Sequence, residues 1–430
     1  MMISDSSSNL VGITRSSKRK VAMRFEEGPT DPVHLPNVIV MVGLPARGKT
    51  YISRKLCRYL KWIGFNTNVF NVGDYRRDMA SDAAHGASAS FFAPENQKAL
   101  LVREESARRA MNDVGEFLES AAGNVADVKI NSPDYKGLMT EDQAKDDFIK
   151  RINNYKKMYE PLDEIYDVDL SYIKVINAGR SFFVHNVNGH VQSRVVYFLM
   201  NIHLLPRAIY LTRHGESEYN RAGRIGGDSP LSENGTKYAK ALLDFFKKEH
   251  VDDLRIWSSQ KVRAAQTAKE LAPLAAHIEY WKALDEIDAG VCEGLTYEDI
   301  EQRYPRQAQD RARDKYHFRF PSGESYEDVV ARLEPVIMEL ERQTNVLLVS
   351  HQAVLRCILA YFDERPLDLL PFLNMPLHTL IKLTPIAYGC ETTYYQFITD
   401  DNNENKGQVS YLKRALTIRE VNSLIWAIDL

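Results

Sequence analysis

Apolar runs alternate with amphipathic stretches along most of this chain. The run Asn37–Val42 is almost entirely apolar, which is typical of a strand buried inside a parallel sheet. Further strand candidates are residues 67–72, 207–212, 254–257, 345–349 and 379–383. Because helical patterns lie between these runs, the sequence predicts an α/β fold in which crossover helices connect the strands of open sheets.

Polar segments divide the chain into a tail, two domains and a second tail. Residues 1–35 carry Ser, Lys and Pro, and we expect them to be disordered. The predicted domains are residues 36–205 and 206–399, and residues 400–430 form a C-terminal tail. The stretch Asp400–Gln408 has the composition of a linker, and the apolar residues of Val409–Leu430 recur at helical spacing, which predicts a docking helix.

Composition excludes several classes of protein. The chain has 430 residues, enough for two cores, and it is 44% apolar and 26% charged, as in an ordinary globular protein. A formal net charge of −3 gives no reason to expect nucleic acid or a membrane as a partner, and no apolar run reaches the length of a membrane span. Four cysteines lie far apart without metal-ligand spacing, which indicates a reducing, cytoplasmic location.

The first strand leads into a glycine-rich loop that fits the pattern G-x-x-x-x-G-K-[ST]. Backbone N–H groups of such a loop point at phosphate oxygens, and the dipole of the following helix adds to the attraction. Lys49 would reach the β- and γ-phosphates of a nucleotide, and Thr50 would help to hold Mg²⁺. The predicted ATP-binding residues are Gly43, Leu44, Pro45, Ala46, Arg47, Gly48, Lys49, Thr50 and Tyr51.

Phosphoryl transfer from such a loop also needs an acidic residue at the end of a neighbouring strand, where it holds the metal. No apolar strand that ends in Asp is visible between Lys98 and Lys150. Asp74 and Asp127 are the remaining candidates, and Asp127 lies in a short apolar run. The loop is therefore stronger evidence for nucleotide binding than for catalysis.

In the second domain, four residues come soon after predicted strands. Arg213 and His214 follow residues 207–212, Arg263 lies on the helix after residues 254–257, and His351 follows residues 345–350. Since ligands bind at the carboxyl ends of the strands of open α/β sheets, we expect these four side chains to meet at one rim. A lone histidine is more often structural, but chance explains four such residues poorly.

The chemistry of these residue types points to phosphoryl transfer. Arg213 and Arg263 can each present a planar fork of donors to a phosphoryl group, and a protonated His351 would add another. Neutral His214 is a competent nucleophile that would form a covalent phosphohistidine. A carboxyl group must protonate the leaving oxygen and later activate water; Glu286 is the stronger candidate and Asp288 the weaker.

These residues resemble the histidine phosphatase superfamily, which includes the phosphoglycerate mutases. More closely, they resemble the bifunctional 6-phosphofructo-2-kinase/fructose-2,6-bisphosphatase family. The matching segments are residues 43–51, 70–77, 224–229, 286–292, 323–326 and 351–357. The resemblance covers about Pro36 to Cys390, and it implies a P-loop NTPase-like kinase domain followed by a histidine phosphatase domain with the phosphoglycerate mutase fold.

For the second domain, the resemblance implies hydrolysis of fructose 2,6-bisphosphate through a phosphohistidine at His214, without a cofactor. Glu286 would donate and accept the proton. The 2-phosphate would be surrounded by Arg213, Asn220, Arg263 and His351. The sugar and the 6-phosphate would be held by Gly226, Tyr297, Arg311, Lys315, Tyr326, Gln352 and Arg356. Three of these are cations, which suit a second phosphate remote from the reacting one and which a monoester phosphatase would not need.

For the first domain, the resemblance implies ATP, Mg²⁺ and fructose 6-phosphate as ligands and a dimer joined through this domain. The implied sugar contacts are Arg76, Arg103, Lys129, Arg151 and Tyr155. However, the family's strand ending in Asp-Ala-Thr-Asn, which should lie between Ala126 and Asp127, is missing with several dozen residues. We therefore expect a retained phosphatase and an impaired kinase. An exon missing from the translated gene would leave the same sequence.

Three other functions stay open on the sequence. One is a fully active bifunctional enzyme in which Asp74 or Asp127 replaces the lost carboxylate. The second is a phosphoglycerate mutase-like enzyme. The third is a regulatory binder without catalysis of its own, which sequesters nucleotide or partners the intact enzyme.

Overall fold

A computed structural model describes residues 36–45, 47–79, 89–120, 125–129, 141–202, 207–275, 277–386, 389–398 and 410–415. Among these residues, no helix has both the length and the apolar character needed to cross a membrane. All four cysteines are free thiols. The expected N-terminal tail lies outside the described residues.

The N-terminal half (residues 36–202) contains a three-stranded parallel sheet in the order β1-β3-β2 and a separate antiparallel pair, β4 and β5. Its strands are β1 (Asn37–Met41), β2 (Thr67–Asn71), β3 (Val125–Lys129), β4 (Tyr172–Ile176) and β5 (Ser181–His185). Its described helices are α1 (Lys49–Trp62), α2 (Val72–Met79), α3 (Gln97–Ser120), α4 (Glu141–Met158) and α5 (His190–Asn201). The predicted order of strand, glycine-rich loop and helix is confirmed.

Strand β1 lies at an edge of its sheet, with one face exposed. Ile39 and Met41 pack against the core formed with α1 and α5. Val38, Val40 and Val42 point the other way and are 45%, 52% and 59% exposed. An all-apolar run predicts burial because helices normally cover both faces of a parallel sheet. Here α3 packs on β2 and β3 instead. The prediction of a buried strand is therefore wrong for this face of β1.

The C-terminal half (residues 207–415) contains a seven-stranded sheet in the order β12-β11-β10-β6-β9-β7-β8. Its strands are β6 (Ile209–Arg213), β7 (Arg255–Ser258), β8 (His277–Tyr280), β9 (Val346–Ser350), β10 (Thr379–Ile386), β11 (Gly389–Ile398) and β12 (Ser410–Ala415). Its described helices are α6 (Glu218–Arg221), α7 (Glu233–Glu249), α8 (Val262–Glu270), α9 (Tyr297–Arg303), α10 (Pro305–Arg313), α11 (Tyr326–Arg332), α12 (Glu334–Arg342) and α13 (Gln352–Phe362).

The central strands of this sheet follow the sequence pattern closely. β6, β9, β7 and β8 are mutually parallel, and apolar cores cover both faces of the sheet. The predicted open sheet with crossover helices is confirmed for these strands. Strands β10, β11 and β12 extend the sheet in antiparallel fashion. A short apolar run carries no information on strand direction, so the sequence did not reveal this edge.

The C-terminal tail contributes a strand. Ser410–Ala415 forms β12 and pairs with β11. The predicted docking helix is therefore wrong for these residues, because over so short an apolar run the helical and strand patterns cannot be told apart. The expected linker and the rest of the predicted helix lie outside the described residues.

The two halves are joined through α1. Trp62, near the end of this helix, enters the core of the C-terminal half and meets the edge of the Tyr361 ring at 5.5 Å. A buried carboxylate, Glu341 on α12, accepts hydrogen bonds from three cations and from the Tyr361 hydroxyl at 3.0 Å. The cations are Lys55 Nζ at 2.8 Å, Arg58 Nη2 at 2.7 Å and Arg207 Nη2 at 2.6 Å. We call Glu341, Lys55, Arg58 and Arg207 the Glu341 cluster.

Candidate active site

The carboxyl ends of β6, β9 and β7 bring four predicted site residues together. The rings of His214 and His351 are 5.0 Å apart, and Arg263 Nε donates to His214 Nε2 at 3.0 Å. Arg213 is the last residue of β6. All three strands are adjacent and parallel, which is why residues distant in sequence meet at this rim. We call Arg213, His214, Arg263 and His351 the histidine site.

The imidazole of His214 is held in one tautomer. Its Nδ1 lies 2.6 Å from the carbonyl oxygen of Gly215, which can only accept, so Nδ1 carries the proton. The lone pair is therefore on Nε2, the atom that faces Arg263. Burial, with the nearby charges of Arg263 and Arg213, holds the pKa of His214 well below its ordinary value of 6.5. The imidazole of His214 is thus neutral at neutral pH, with its Nε2 lone pair available.

His351 is also neutral at neutral pH. Burial, followed by the fields of His214 and Arg263, lowers the pKa of His351 well below 6.5. A protonated His351 was expected to act as a charged donor. At neutral pH, His351 does not hold the proton that this role requires. The positive charge of the histidine site consequently comes from its two arginines.

Both arginines are oriented by backbone carbonyls. Arg213 Nη1 donates to Met375 O at 3.1 Å, and Arg263 Nη1 donates to Gly227 O at 2.9 Å. Burial lowers the pKa of Arg213 to about 10, partly offset by the nearby Glu286 carboxylate, so the guanidinium stays charged at neutral pH. The donors are thus fixed before any phosphoryl group develops charge, as preorganised electrostatic catalysis requires.

Glu286 lies against the first turn of α13. Its Oε1 accepts from Ala353 N at 3.1 Å and its Oε2 from Gln352 N at 3.2 Å. These amides belong to the helix that starts directly after His351, so the carboxylate is held beside the histidine site. Asp288, the weaker candidate, accepts from Gly290 N in a turn of its own loop.

A glycine turn closes the site opposite this carboxylate. Gly226 has a φ of +65°, and a Cβ there would lie 2.2 Å from a carboxylate oxygen of Glu293. Glu293 accepts from Gly227 N and Ala289 N, so it ties the turn to the Glu286 loop. Asn220 uses its Oδ1 to accept from Ser217 N at 3.0 Å, which orients the amide.

The other predicted substrate residues form an outer cation group, consisting of Arg311, Lys315 and Arg356. Arg311 lies over the Tyr297 ring at 5.6 Å, and Lys315 lies over the Phe372 ring at 4.9 Å. Arg356 is fixed by Leu373 O at 2.7 Å and by the Tyr326 hydroxyl at 3.1 Å. Arg356 is close enough to Arg213 to lower its pKa, so this member of the outer cation group borders the histidine site.

Sequence reasoning did not assign a role to several side chains that support the histidine site. Thr267 Oγ1 accepts from Gly215 N at 3.0 Å. Ser259 and Asp285 form a hydrogen bond beside His351. The only available signal was position, since Ser259 follows β7 and Asp285 precedes Glu286. Neither residue type indicates its partner.

The glycine-rich loop of the N-terminal half has the geometry of a phosphate site. Gly48 has a φ of +75°, and α1 begins at the next residue, so the amides of the first turn face the loop. Lys49 Nζ donates to Gly43 O at 2.6 Å and to Leu44 O at 2.7 Å. Ala46 lies outside the described residues. The loop fits the phosphates of a nucleotide.

Three of the five predicted sugar-contacting residues meet at Phe92. The guanidinium carbons of Arg76 and Arg151 lie 4.9 Å and 3.9 Å from the centre of this ring, and the Tyr155 ring is 5.6 Å away. Arg103 is on α3, where its Nε donates to Ala99 O. Lys129 is the last residue of β3.

The ligand set for Mg²⁺ is incomplete among the described residues. β3 is the strand beside β1, and its last residue, Lys129, is opposite Met41. A lysine thus ends the strand where the metal-holding carboxylate is needed. Asp127 lies in the middle of β3, and Asp74 is exposed and paired with Arg77. No group of three or more acidic, His or Cys residues suits a metal in the described part of the chain. Thr50 alone does not fit the ion.

Two family models match the chain. The histidine phosphatase superfamily (branch 1) model matches residues 209–397. The 6-phosphofructo-2-kinase model matches residues 29–126 and, separately, 121–206. The match to the kinase model is thus split in two next to Ala126, where the missing strand is expected.

Curated relatives match across both halves. A 6-phosphofructo-2-kinase/fructose-2,6-bisphosphatase of Caenorhabditis elegans is 65% identical over 426 residues, covering 88% of this chain and 93% of the relative. The form named 6-phosphofructo-2-kinase/fructose-2,6-bisphosphatase 3 of Rattus norvegicus is 48% identical over 430 residues, covering 88% of this chain and 76% of the relative. Because 88% of 430 residues is only about 378, several dozen of the 426 positions have no counterpart here. The chain belongs to the bifunctional 6-phosphofructo-2-kinase/fructose-2,6-bisphosphatase family.

Proposed function

We propose that the C-terminal half, with residues 206–399 as its catalytic domain, hydrolyses fructose 2,6-bisphosphate to fructose 6-phosphate and phosphate. The observation that carries this proposal is the geometry of His214, whose Nε2 lone pair is fixed by Gly215 and faces the Arg263 guanidinium at 3.0 Å. A neutral imidazole beside two fixed guanidinium groups suits attack on a phosphoryl group and little else.

The reaction would proceed in two displacements. Nε2 of His214 attacks phosphorus while Glu286 gives its proton to the departing 2-oxygen of the sugar. Water then attacks the phosphohistidine and loses its proton to Glu286, which restores both groups. Arg213, Arg263 and the NH₂ group of Asn220 bind the phosphoryl oxygens in both steps.

The outer cation group supports the bisphosphate as substrate. A second phosphate placed near Arg311, Lys315 and Arg356 would meet three positive charges that the reacting phosphoryl group does not use. Gly226, Tyr297, Tyr326 and Gln352 would line the sugar between the two phosphates. The pocket thus favours a sugar bisphosphate over a phosphoglycerate.

We also propose that the N-terminal half, residues 36–205, binds nucleotide and transfers phosphate poorly or not at all. The end of β3 supports this, because this described strand beside β1 does not end in the carboxylate that Mg²⁺ needs. The broken family match near Ala126 points to the same loss. A fully active kinase would need another carboxylate, Asp74 or Asp127, to hold the metal, and Asp74 is paired with Arg77.

One experiment tests both proposals. The purified full chain is given fructose 2,6-bisphosphate, and separately ATP, Mg²⁺ and fructose 6-phosphate, and both products are measured. We expect hydrolysis that EDTA does not reduce, since side chains supply the positive charge, and no magnesium-dependent transfer. His214→Ala should abolish hydrolysis and phosphohistidine, whereas His317→Ala, which changes a histidine paired with Asp314 on the surface, should not. Native-rate cleavage by His214→Ala would refute the phosphatase proposal, and magnesium-dependent synthesis of the bisphosphate would refute the loss of kinase activity.

A further inference from the structure

We infer that Ser259 and Asp285 form a positioning pair that fixes the tautomer of His351 and supports its positive charge when it contacts the transferring phosphoryl group. This inference rests on the proposed phosphatase function. It concerns two residues to which the sequence assigned no role.

The hydrogen bonds of Ser259 determine which atom of His351 carries a proton. Ser259 Oγ lies 2.7 Å from Asp285 Oδ1, and a carboxylate only accepts, so the hydroxyl gives its one hydrogen to Asp285. The hydroxyl accepts from Lys261 N at 3.1 Å. Its remaining lone pair faces His351 Nε2 at 2.7 Å. His351 Nε2 must therefore be the donor.

The pair is rigid. Ser259 is fully buried. Asp285 Oδ1 also accepts from Gln260 N at 2.8 Å, and the Asp285 carbonyl oxygen accepts from Arg332 Nη2 at 2.7 Å. The side chain and the backbone of Asp285 are thus held by separate hydrogen bonds. These bonds restrain the hydrogen-bonded series that runs from Asp285 through Ser259 to His351.

This tautomer leaves the lone pair of His351 on Nδ1. That atom is buried and has no hydrogen-bond partner among the described residues. A buried polar atom without a partner is costly, and here the ring lies 5.0 Å from that of His214. Nδ1 is accordingly the atom that would meet the phosphoryl group.

The charge balance follows from this arrangement. A phosphoryl group that arrives with one proton can pass it to His351 Nδ1, which leaves a dianionic phosphoryl group in contact with an imidazolium and creates no net charge. The new N–H donates to a phosphoryl oxygen, while the opposite N–H is bound to Ser259. Asp285 then stabilises the cation through the serine hydroxyl.

Other charges near His351 make this support necessary. Arg213 at the end of β6, Lys261 and Arg263 at the start of α8, and the ring of His214 all disfavour a second positive charge. Two carboxylates lie near the ring: Asp285, which reaches His351 through Ser259, and Glu286, which accepts from the amide of the next residue, Gln352. Since Glu286 is proposed to move protons in the reaction, Asp285 supplies the constant negative charge.

The test compares Ser259→Ala and Asp285→Asn with Ser258→Ala. Ser258 is a fully buried neighbour whose hydroxyl donates to Ser259 O at 2.9 Å, so it matches Ser259 in burial but does not bond His351. Rapid-quench assays give the rate of phosphohistidine formation, and steady-state assays give kcat, KM and their pH profiles. Thermal unfolding is measured for every variant.

We expect Ser259→Ala and Asp285→Asn to slow phosphorylation of His214 by about tenfold or more, with little change in KM. Because either change makes the His351 cation less stable, the basic limb of the pH profile should move to lower pH. Ser258→Ala should keep the wild-type profile, and Ser259→Thr should restore the rate. Reduced thermal stability with an unchanged profile would overturn the inference, since it would mean a structural role only.

A measurement on the wild-type protein avoids any folding defect of the variants. In protein labelled with ¹⁵N-histidine, His351 should show the neutral Nε2–H tautomer, and an Nδ1–H tautomer would overturn the inference. The two proposals can fail separately. If His214 takes up no phosphate, the phosphatase proposal fails, whereas active wild-type enzyme with unaffected Ser259 and Asp285 variants would refute the positioning pair alone.

Discussion

Lys55 Nζ, on the helix that follows the phosphate loop, lies 2.8 Å from Glu341 Oε2 in the other half of the molecule, and both groups are buried. Arg58 and Arg207 share the same carboxylate. Two charges of an ordinary buried pair neutralise one another, but here one anion serves three cations. The link between the halves therefore depends on Glu341 more than on any one of its partners.

Glu341→Gln should destabilise the protein strongly, because it removes the charged carboxylate that three buried cations share. Breaking a buried pair from one side costs about 3–5 kcal/mol. The measurement is chemical unfolding followed by intrinsic fluorescence. Glu339→Gln, on the same helix but in a more exposed pair with Arg342, is the matched control and should change little. Equal stability of the two variants would contradict this prediction.

The same variant should change the response to acid. The three cations hold the pKa of Glu341 far below its ordinary value of 4.5, despite the opposing effect of burial. Below pH 4.5 the unfolded chain therefore binds a proton that the folded protein does not, and stability falls as pH falls. Glu341→Gln should flatten this part of the stability curve.

The pH dependence of phosphohistidine formation should reflect His214. Burial and two guanidinium groups hold its pKa well below 6.5, so the lone pair is available throughout the neutral range and is lost only in stronger acid. The acid limb of the phosphorylation rate should therefore lie well below pH 6.5. Arg263→Gln removes one of the causes and should move this limb upward, along with a slower rate. An acid limb near 6.5 in the wild type would contradict the prediction.

Gly215→Ala should disrupt the histidine site through the backbone. A Cβ at Gly215 would lie 2.4 Å from Gly235 O, which belongs to the first turn of α7 and cannot yield like a flexible side chain. We expect a loss of about 1–3 kcal/mol in stability and a larger loss of hydrolysis. Gly115→Ala is the control, since a Cβ there meets no atom within 4 Å on α3 and should gain about 1 kcal/mol in helix propensity. Full activity in Gly215→Ala would show that the turn can shift without harm.

Val40→Lys should reduce self-association without affecting hydrolysis. Val40 is 52% exposed on an edge strand, and apolar strand edges promote pairing between chains. Binding of a hydrophobic dye and light scattering at rising concentration measure the effect. Tyr280→Lys changes an exposed residue (48% exposed) on β8, which is also an edge strand but lacks an exposed apolar row like that of Val38, Val40 and Val42, so it should leave both signals closer to wild type. Unfolding of the N-terminal half by Val40→Lys would show that this face is covered after all.

The central strands were predictable because burial dictates their composition. β9 is buried at every residue, and its apolar run is visible in the sequence within one residue of its true bounds. By contrast, β1 has an equally apolar run but is half exposed, because the described helix α3 packs on β2 and β3 instead. An apolar pattern shows that a strand is suited to burial. It does not show whether other elements of the fold cover that strand.

The reacting groups were predictable and their supports were not. The residue types of His214, His351 and Arg263 indicate their chemistry. Their positions after predicted strands indicate where they lie in the fold. Ser259, Asp285 and Glu293 are common residue types. Each supports the site through particular hydrogen bonds that its residue type does not indicate. Such relationships depend on loop conformation, which sequence spacing does not define. The strand at Ser410–Ala415 was missed for a similar reason, since it is defined by its pairing with β11.

Helix α1 starts at the lysine of the phosphate loop and ends with a tryptophan inserted in the core of the C-terminal half. At about 1.5 Å per residue it acts as a stiff rod between the two. A fragment that keeps only the C-terminal half would lose this rod, leaving Arg207 as the sole counter-ion of Glu341 and uncovering the site where Trp62 inserts. We therefore expect the C-terminal half to be less stable when it is produced alone, even if the N-terminal half performs no chemistry at all.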